Sequence, residues 1–273
     1  MTDTSNPVAM TGSDKVGPHL SCEEHIEGLK TQGQLLCSLA ETADFSAAIP
    51  FCPGWLLADL VTHVGFIYRW VAAIVGETRA EAPGEADRAA LQDPDPADHA
   101  GTLSRLRSAH ADLAGLLRDT PSSLDCWTAW AHPSPRTFWA RRMLHETLIH
   151  RVDVQNALIA SPMGGDELSA ALATDGVDEM ICGFAGRYAQ TLRSEHGGTL
   201  ALTATDTGQR WWAKIGPHAP QFGRGAPPVP ADTEVRALAG ELLLLLWNRR
   251  GANGLAVRGR GDLLETWAQH AHL

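Results

Sequence analysis

The sequence has no block of basic residues, no long apolar run and no closely paired cysteines, and each absence narrows what the chain can do. Its formal net charge is −10, and lysine and arginine are nowhere clustered. Nucleic-acid binders carry a concentrated Lys/Arg footprint, so no nucleic-acid partner is expected. The longest apolar run, "LLLLLW" at 242–247, is far too short to span a bilayer, so no membrane partner is expected either. The opening stretch "MTDTSNPVAMTGSDKVGPHL" lacks the apolar core of a secretory signal, and residues 1–20 read as a disordered leader. The five cysteines (22, 37, 52, 126 and 182) are odd in number and include no C-x-x-C pair. That pattern predicts reduced thiols in a cytoplasmic protein. There are no internal repeats.

What is there reads as a globular chain. Of its 273 residues, 44% are apolar and 20% charged, enough to build one large or two smaller cores. Helical spacing of apolar residues runs over 22–43, 56–76, about 101–118 and about 136–160. The turn "FCPGW" (51–55) leads into the second of these, and "EAPGEADRAALQDPDPADHA" (81–100) reads as a solvated loop. Helices joined this way predict a four-helix bundle over residues 21–165. A further helix is expected at about 167–192. The period then changes to alternation in "GTLALTATDTGQRWWAKI" (198–215), two strands about a turn. "GPHAPQFGRGAPPVP" reads as a loop, followed by a strand and helix in "TEVRALAGELLLLLWNRR", a strand in "NGLAVRGR" and a last helix. The fold class expected is therefore α plus α+β, with a smaller α+β domain over residues 166–273.

One stretch stands out: "RRMLHETLIHRVDVQNAL", residues 141–158. It nearly spells the zinc-protease motif H-E-x-x-H, but position 149 is Ile149 and the second histidine falls at His150. At about 100° per residue, Glu146 and His150 point within about 40° of each other, one turn apart. His145 lies about 140° from His150 and cannot share a ligand with it. An E-x-x-x-H pair by itself is commonplace on a charged helix face. Here, however, Trp139, Met143, Ile149 and Ala157 fall on or beside the same arc, and Leu144, Leu148 and Leu158 lie opposite. The pair therefore faces inward, where a carboxylate needs a partner or a metal.

A third ligand has to come from another helix. His63 shares its helix face with Leu56, Leu60, Phe66, Ile67, Trp70 and Ile74, a histidine inside an apolar stripe. A core histidine satisfied by ordinary hydrogen bonds is one explanation. The other is a divalent metal held by His63, Glu146 and His150, a donor set typical of zinc with an open position. Asp59 and Asp153 are candidates to orient the imidazoles of His63 and His150, or are plain helix-surface charges.

At these residues the sequence resembles a known family. "CPGWLLADLVTH" (52–63), "FWARRMLHETLIHRVDVQNAL" (138–158) and "LLLLLWNRRGANGLAVRGRGDLLETW" (242–267) are similar to the mycothiol-dependent maleylpyruvate isomerase family of the DinB-like superfamily. The resemblance covers about residues 22–270. It implies a DinB-like four-helix bundle with a metal, usually zinc, at His63, Glu146 and His150, and mycothiol as the thiol. It also implies a small-molecule substrate with an activated double bond. A thiolate made at neutral pH by the metal would add to that bond, allow rotation about it and leave again. If the adduct is retained, the same site is a thiol S-transferase. An arginine fork suits a substrate carboxylate, and Arg142 in the bundle and Arg249 in the second domain are the catalytic candidates. A third reading is a metal-stabilised binding module without turnover, for which the nearest cysteine, Cys52, is a poorly placed fourth ligand.

Overall fold

A computed structural model describes residues 20–95, 97–159 and 163–271, which fall into two units, Leu20–Met163 and the residues from Gly164 on. The leader expected over residues 1–20 lies, apart from Leu20, outside the described residues.

The first unit is helical. Helix α1 (Cys22–Glu41) starts at a capping box, in which Glu24 N–H donates to Ser21 Oγ and Ser21 N–H to Glu24 Oε2. It buries Ile26, Leu29, Gly33, Leu36, Cys37 and Ala40, one stripe at helical spacing. Helix α2 (Leu57–Gly76) and helix α4 (His99–Asp119) pack on each other, and α1 packs on α4 and on α5 (Pro135–Leu158). Helix α2 also touches α5. Among the described residues, α2 is the one helix long and apolar enough to cross a membrane, and half of it is buried within the protein.

The segment read as a solvated loop over 81–100 contains a six-residue helix, α3 (Glu85–Ala90), with no buried residue of its own. Its sequence, EADRAA, is made of good helix formers, and arginines hold the surrounding segment down. Arg79 Nη1 pairs with Asp87 at 2.6 Å, Arg69 Nε donates to the Leu91 carbonyl at 2.9 Å, and Arg105 pairs with the buried Asp93 at 2.8 Å.

The second unit mixes helix and sheet. The single helix expected over 167–192 is shorter: α6 (Ala170–Cys182) stops at Gly183, and a 3-10 turn follows. A five-stranded sheet has the order β3-β2-β1-β4-β5, from β1 (Gly198–Ala204), β2 (Arg210–Ile215), β3 (Gln221–Arg224), β4 (Thr233–Ala237) and β5 (Ala256–Gly259). Strand β1 pairs antiparallel with β2 and parallel with β4, Leu200 opposite Thr233. Strand β3 lies where a Pro/Gly loop was expected. It is four residues long and exists by pairing with β2, with Gly223 lying against the Trp212 ring, where a side chain would collide. Helices α7 (Ala239–Leu246) and α8 (Asp262–His270) pack on β1. Asp178 of α6 is buried and accepts hydrogen bonds from Trp211 Nε1 (3.0 Å) and Arg224 Nη2 (2.7 Å), tying α6 to β2 and β3.

Candidate metal centre

Every residue of α5 from Arg142 to Val154 is buried. A helix covered on all faces is normally apolar all round. This one places Arg142, His145, Glu146, His150, Arg151 and Asp153 in the interior, and each needs a partner there. Its start is firm: Ser134 caps Thr137 N–H and Pro135 occupies the first turn, where its missing N–H costs nothing.

Helix α2 brings the third member. Glu146 Oε1 stands 3.2 Å from His150 Nε2 and 3.3 Å from His63 Nε2. The three candidate ligand atoms lie within 4.8 Å of one another, and His145 is not among them. Donors placed tetrahedrally at zinc bond lengths are about 3.3 Å apart, so the spacing suits a small divalent ion. A second observation agrees. His150 Nε2 is buried and makes no hydrogen bond, since its approach to Glu146 lacks the alignment of one. Its other ring nitrogen, Nδ1, lies 3.1 Å from Asp153 Oδ2, with the Asp153 side chain wholly buried. An imidazole held this way through Nδ1 presents Nε2 as a ligand. The residues therefore fit a metal bound by two histidines and one carboxylate. Side-chain exposure is 3% for His150 and 9% for Glu146 but 31% for His63, so the cluster opens on the His63 side.

Without a metal the charges settle among themselves. Burial works to raise the Glu146 pKa, but the close approach of the His150 and His63 imidazoles and the charge of Arg142 outweigh it, holding the carboxyl well below its ordinary value. Burial works to lower the His150 pKa, and the Asp153 and Glu146 carboxylates overcome it, raising the imidazole to about 9.

Other expected site residues are placed differently. The Asp59 carboxylate accepts the Leu56 N–H at 2.8 Å, closing the first turn of α2, and does not pair with His63. That bond to a free N–H at the start of the helix draws the Asp59 carboxylate to the N-terminal end and away from His63. Arg142 is not a free fork for a substrate carboxylate. Its guanidinium is buried and Nη2 donates to Glu146 Oε2 at 2.8 Å. Arg249 belongs to the second unit, where it is buried and Nη1 donates to the Trp247 carbonyl at 2.8 Å.

Sequence reasoning passed over Trp55 of the "CPGW" turn and weighed Cys52 there only as a fourth ligand. Trp55 N–H donates to the Cys52 carbonyl at 3.0 Å, with Pro53 second and Gly54 third at φ +84°, the residues a type II turn requires. The turn sets the Trp55 ring edge-on to His63, centroids 5.1 Å apart. It also brings Cys52 Sγ to 3.7 Å from Asp153 Oδ2, the oxygen that holds His150. The signal was present in the Pro-Gly pair, which fixes a turn next to the helix that carries His63. Trp70 of α2, Trp139 of α5 and Trp127 of the segment before α5 pack edge to face or tilted, with centroids 5.6–5.8 Å apart.

Comparison with known proteins adds to this geometry. Residues 29–155 match the family model of the mycothiol maleylpyruvate isomerase N-terminal domain, and residues 171–266 match that of the MDMPI C-terminal domain. Among solved structures, the crystal structure of a mycothiol-dependent maleylpyruvate isomerase is similar, with a TM-score of 0.63 at 14% identity. That similarity covers 87% of this chain and 93% of the other. A histidine-to-alanine mutant of a mycothiol-dependent maleylpyruvate isomerase aligns with a TM-score of 0.62 at the same identity and coverage. No curated protein matches the sequence.

Proposed function

Since the chain belongs to the mycothiol maleylpyruvate isomerase family, we propose that it is a metal- and mycothiol-dependent isomerase acting on a maleylpyruvate-like substrate with an activated cis double bond. The observation that carries this reading is the convergence of His63, Glu146 and His150 on one point that opens on a single side. In the reading, the four long helices are a DinB-like four-helix bundle, and the ion is zinc.

When bound, the metal would lower the pKa of a thiol to give a nucleophile at neutral pH. The rest falls to the chain. His63, Glu146 and His150 would hold the ion, with the exposed His63 side left for small ligands. Asp153 fixes the His150 ring so that Nε2 faces inward. The Trp55 ring stands beside His63 as an apolar neighbour at the open side of the cluster. A thiol cosubstrate and free cysteines suit a cytoplasmic setting.

The test is conversion of maleylpyruvate to fumarylpyruvate by metal-loaded protein, followed with and without mycothiol. Turnover that requires mycothiol supports the isomerase. A stable thiol adduct with another electrophile, and no isomerisation, replaces it with an S-transferase. Failure of the loaded protein to bind any thiol removes both and leaves a metal-stabilised binding module.

A further inference from the structure

The two oxygens of Glu146 are treated differently, and the difference has a consequence for the metal. Oε1 faces His63 Nε2 and His150 Nε2 at 3.3 and 3.2 Å, while Oε2 accepts from Arg142 Nη2 at 2.8 Å. Both partners of that last contact are buried, with side-chain exposures of 5% and 9%, and they sit one turn apart on the same helix. A guanidinium stays charged at any accessible pH and forms directional hydrogen bonds, so it is a durable partner for one carboxylate oxygen. A carboxylate free at both oxygens can close on a divalent ion through both and use two coordination positions. With Oε2 turned to Arg142, the carboxylate presents Oε1 to the two histidines.

We infer that Arg142 is a positioning residue that keeps Glu146 a one-oxygen ligand, so that the centre retains an open position for the thiol. The inference rests on the metal reading above and assigns Arg142 a role through Glu146, in place of a direct contact with substrate. It also accounts for the burial of an arginine four residues before the ligand. A cation destined for a substrate carboxylate would have to be reachable, and this one is not.

The experiment uses Co2+ in place of the native ion, because its visible absorption is strong in four-coordinate sites and weak when coordination rises. Wild type, Arg142→Met and Arg142→Lys are loaded with Co2+ and their spectra recorded. Circular dichroism checks folding. Arg142→Met should weaken the visible bands several-fold, as Glu146 closes on the ion through both oxygens. Arg142→Lys retains a donor without the planar fork and should fall between the two. If Arg142→Met does not fold, the lysine variant carries the test alone. Either folded variant with wild-type bands overturns the inference while leaving the metal centre intact. A wild type that takes up no Co2+ overturns the metal reading and this inference together.

Discussion

His150 Nδ1 lies 3.1 Å from Asp153 Oδ2, one turn further along α5, and this contact selects which face of the imidazole looks into the cluster. A histidine has two ring nitrogens, and the hydrogen bond made by one decides the role of the other. With Nδ1 held by a wholly buried carboxylate, Nε2 is left to face Glu146 and His63.

Metal content should follow the three converging residues and no others. His63→Ala and His150→Ala are expected to lose the bound metal, whereas folded His145→Ala should keep it, because His145 is outside the cluster. Elemental analysis of the purified variants measures this directly. Full occupancy in either ligand variant would show that the cluster is an ordinary buried hydrogen-bond network.

The two aspartates should separate. Asp153→Asn leaves the three ligands in place but releases the His150 ring, so metal affinity should fall about 10–100-fold. Asp59→Asn touches only the first turn of α2 and should leave affinity unchanged, at a cost of roughly 0.5–1.5 kcal/mol in stability. Chelator competition and chemical denaturation on both proteins distinguish the outcomes. Equal losses of affinity would contradict the assignment.

The metal-free protein should show a defined pH dependence. His150 has its pKa raised to about 9, so its contribution to stability is complete below the unfolded value near 6.5 and disappears as pH rises through about 9. Glu146 has its pKa depressed, so its contribution is complete above the unfolded carboxylate value and is lost as pH falls through the lower folded one. Between those unfolded values both contributions are present, and stability from this cluster should be greatest there. Adding metal should reverse the trend on the alkaline side. His150 must lose its proton to act as a ligand, so apparent metal affinity should climb with pH up to about 9. Thermal unfolding with and without metal across pH tests both signs.

Trp139 should be worth more to folding than to metal binding. Its side chain is 1% exposed, packs against Trp70, Trp127 and Phe138, and donates Nε1–H to the Trp127 carbonyl at 2.9 Å. Trp139→Ala is expected to destabilise the protein by about 3–5 kcal/mol, and Trp139→Phe by less. Denaturant titration gives both values, and metal stoichiometry in the folded phenylalanine variant should remain that of wild type.

Much of the first unit was readable because its information is local. The expected starts and ends of α1, α2, α4 and α5 lie within a few residues of those observed, since apolar spacing and caps such as Ser21 and Ser134 act within a few residues of chain. Strands β1 and β2 were legible for the same reason, alternation about a turn. Helix α3 and strand β3 were not. The first depends on Arg79 and its neighbours holding a segment that reads as a loop, and the second on an edge of β2 to pair with.

The candidate site divides along the same line. Four residues of helix determine by themselves that Glu146 and His150 share a face, because the rise and twist of an α-helix leave no alternative. Nothing local says that His63, 83 positions before Glu146, should meet them, and only the packing of α2 on α5 brings Nε2 to Oε1. Tertiary structure likewise turned Arg142 from a fork awaiting substrate into the partner of Glu146, and left Asp59 at its helix end while burying Asp153 against His150. Charge and side-chain type are properties of the sequence. Which neighbour each charge is given, and which are withdrawn from water, is set by how the helices pack, since buried polar groups must find partners among whatever the fold brings near.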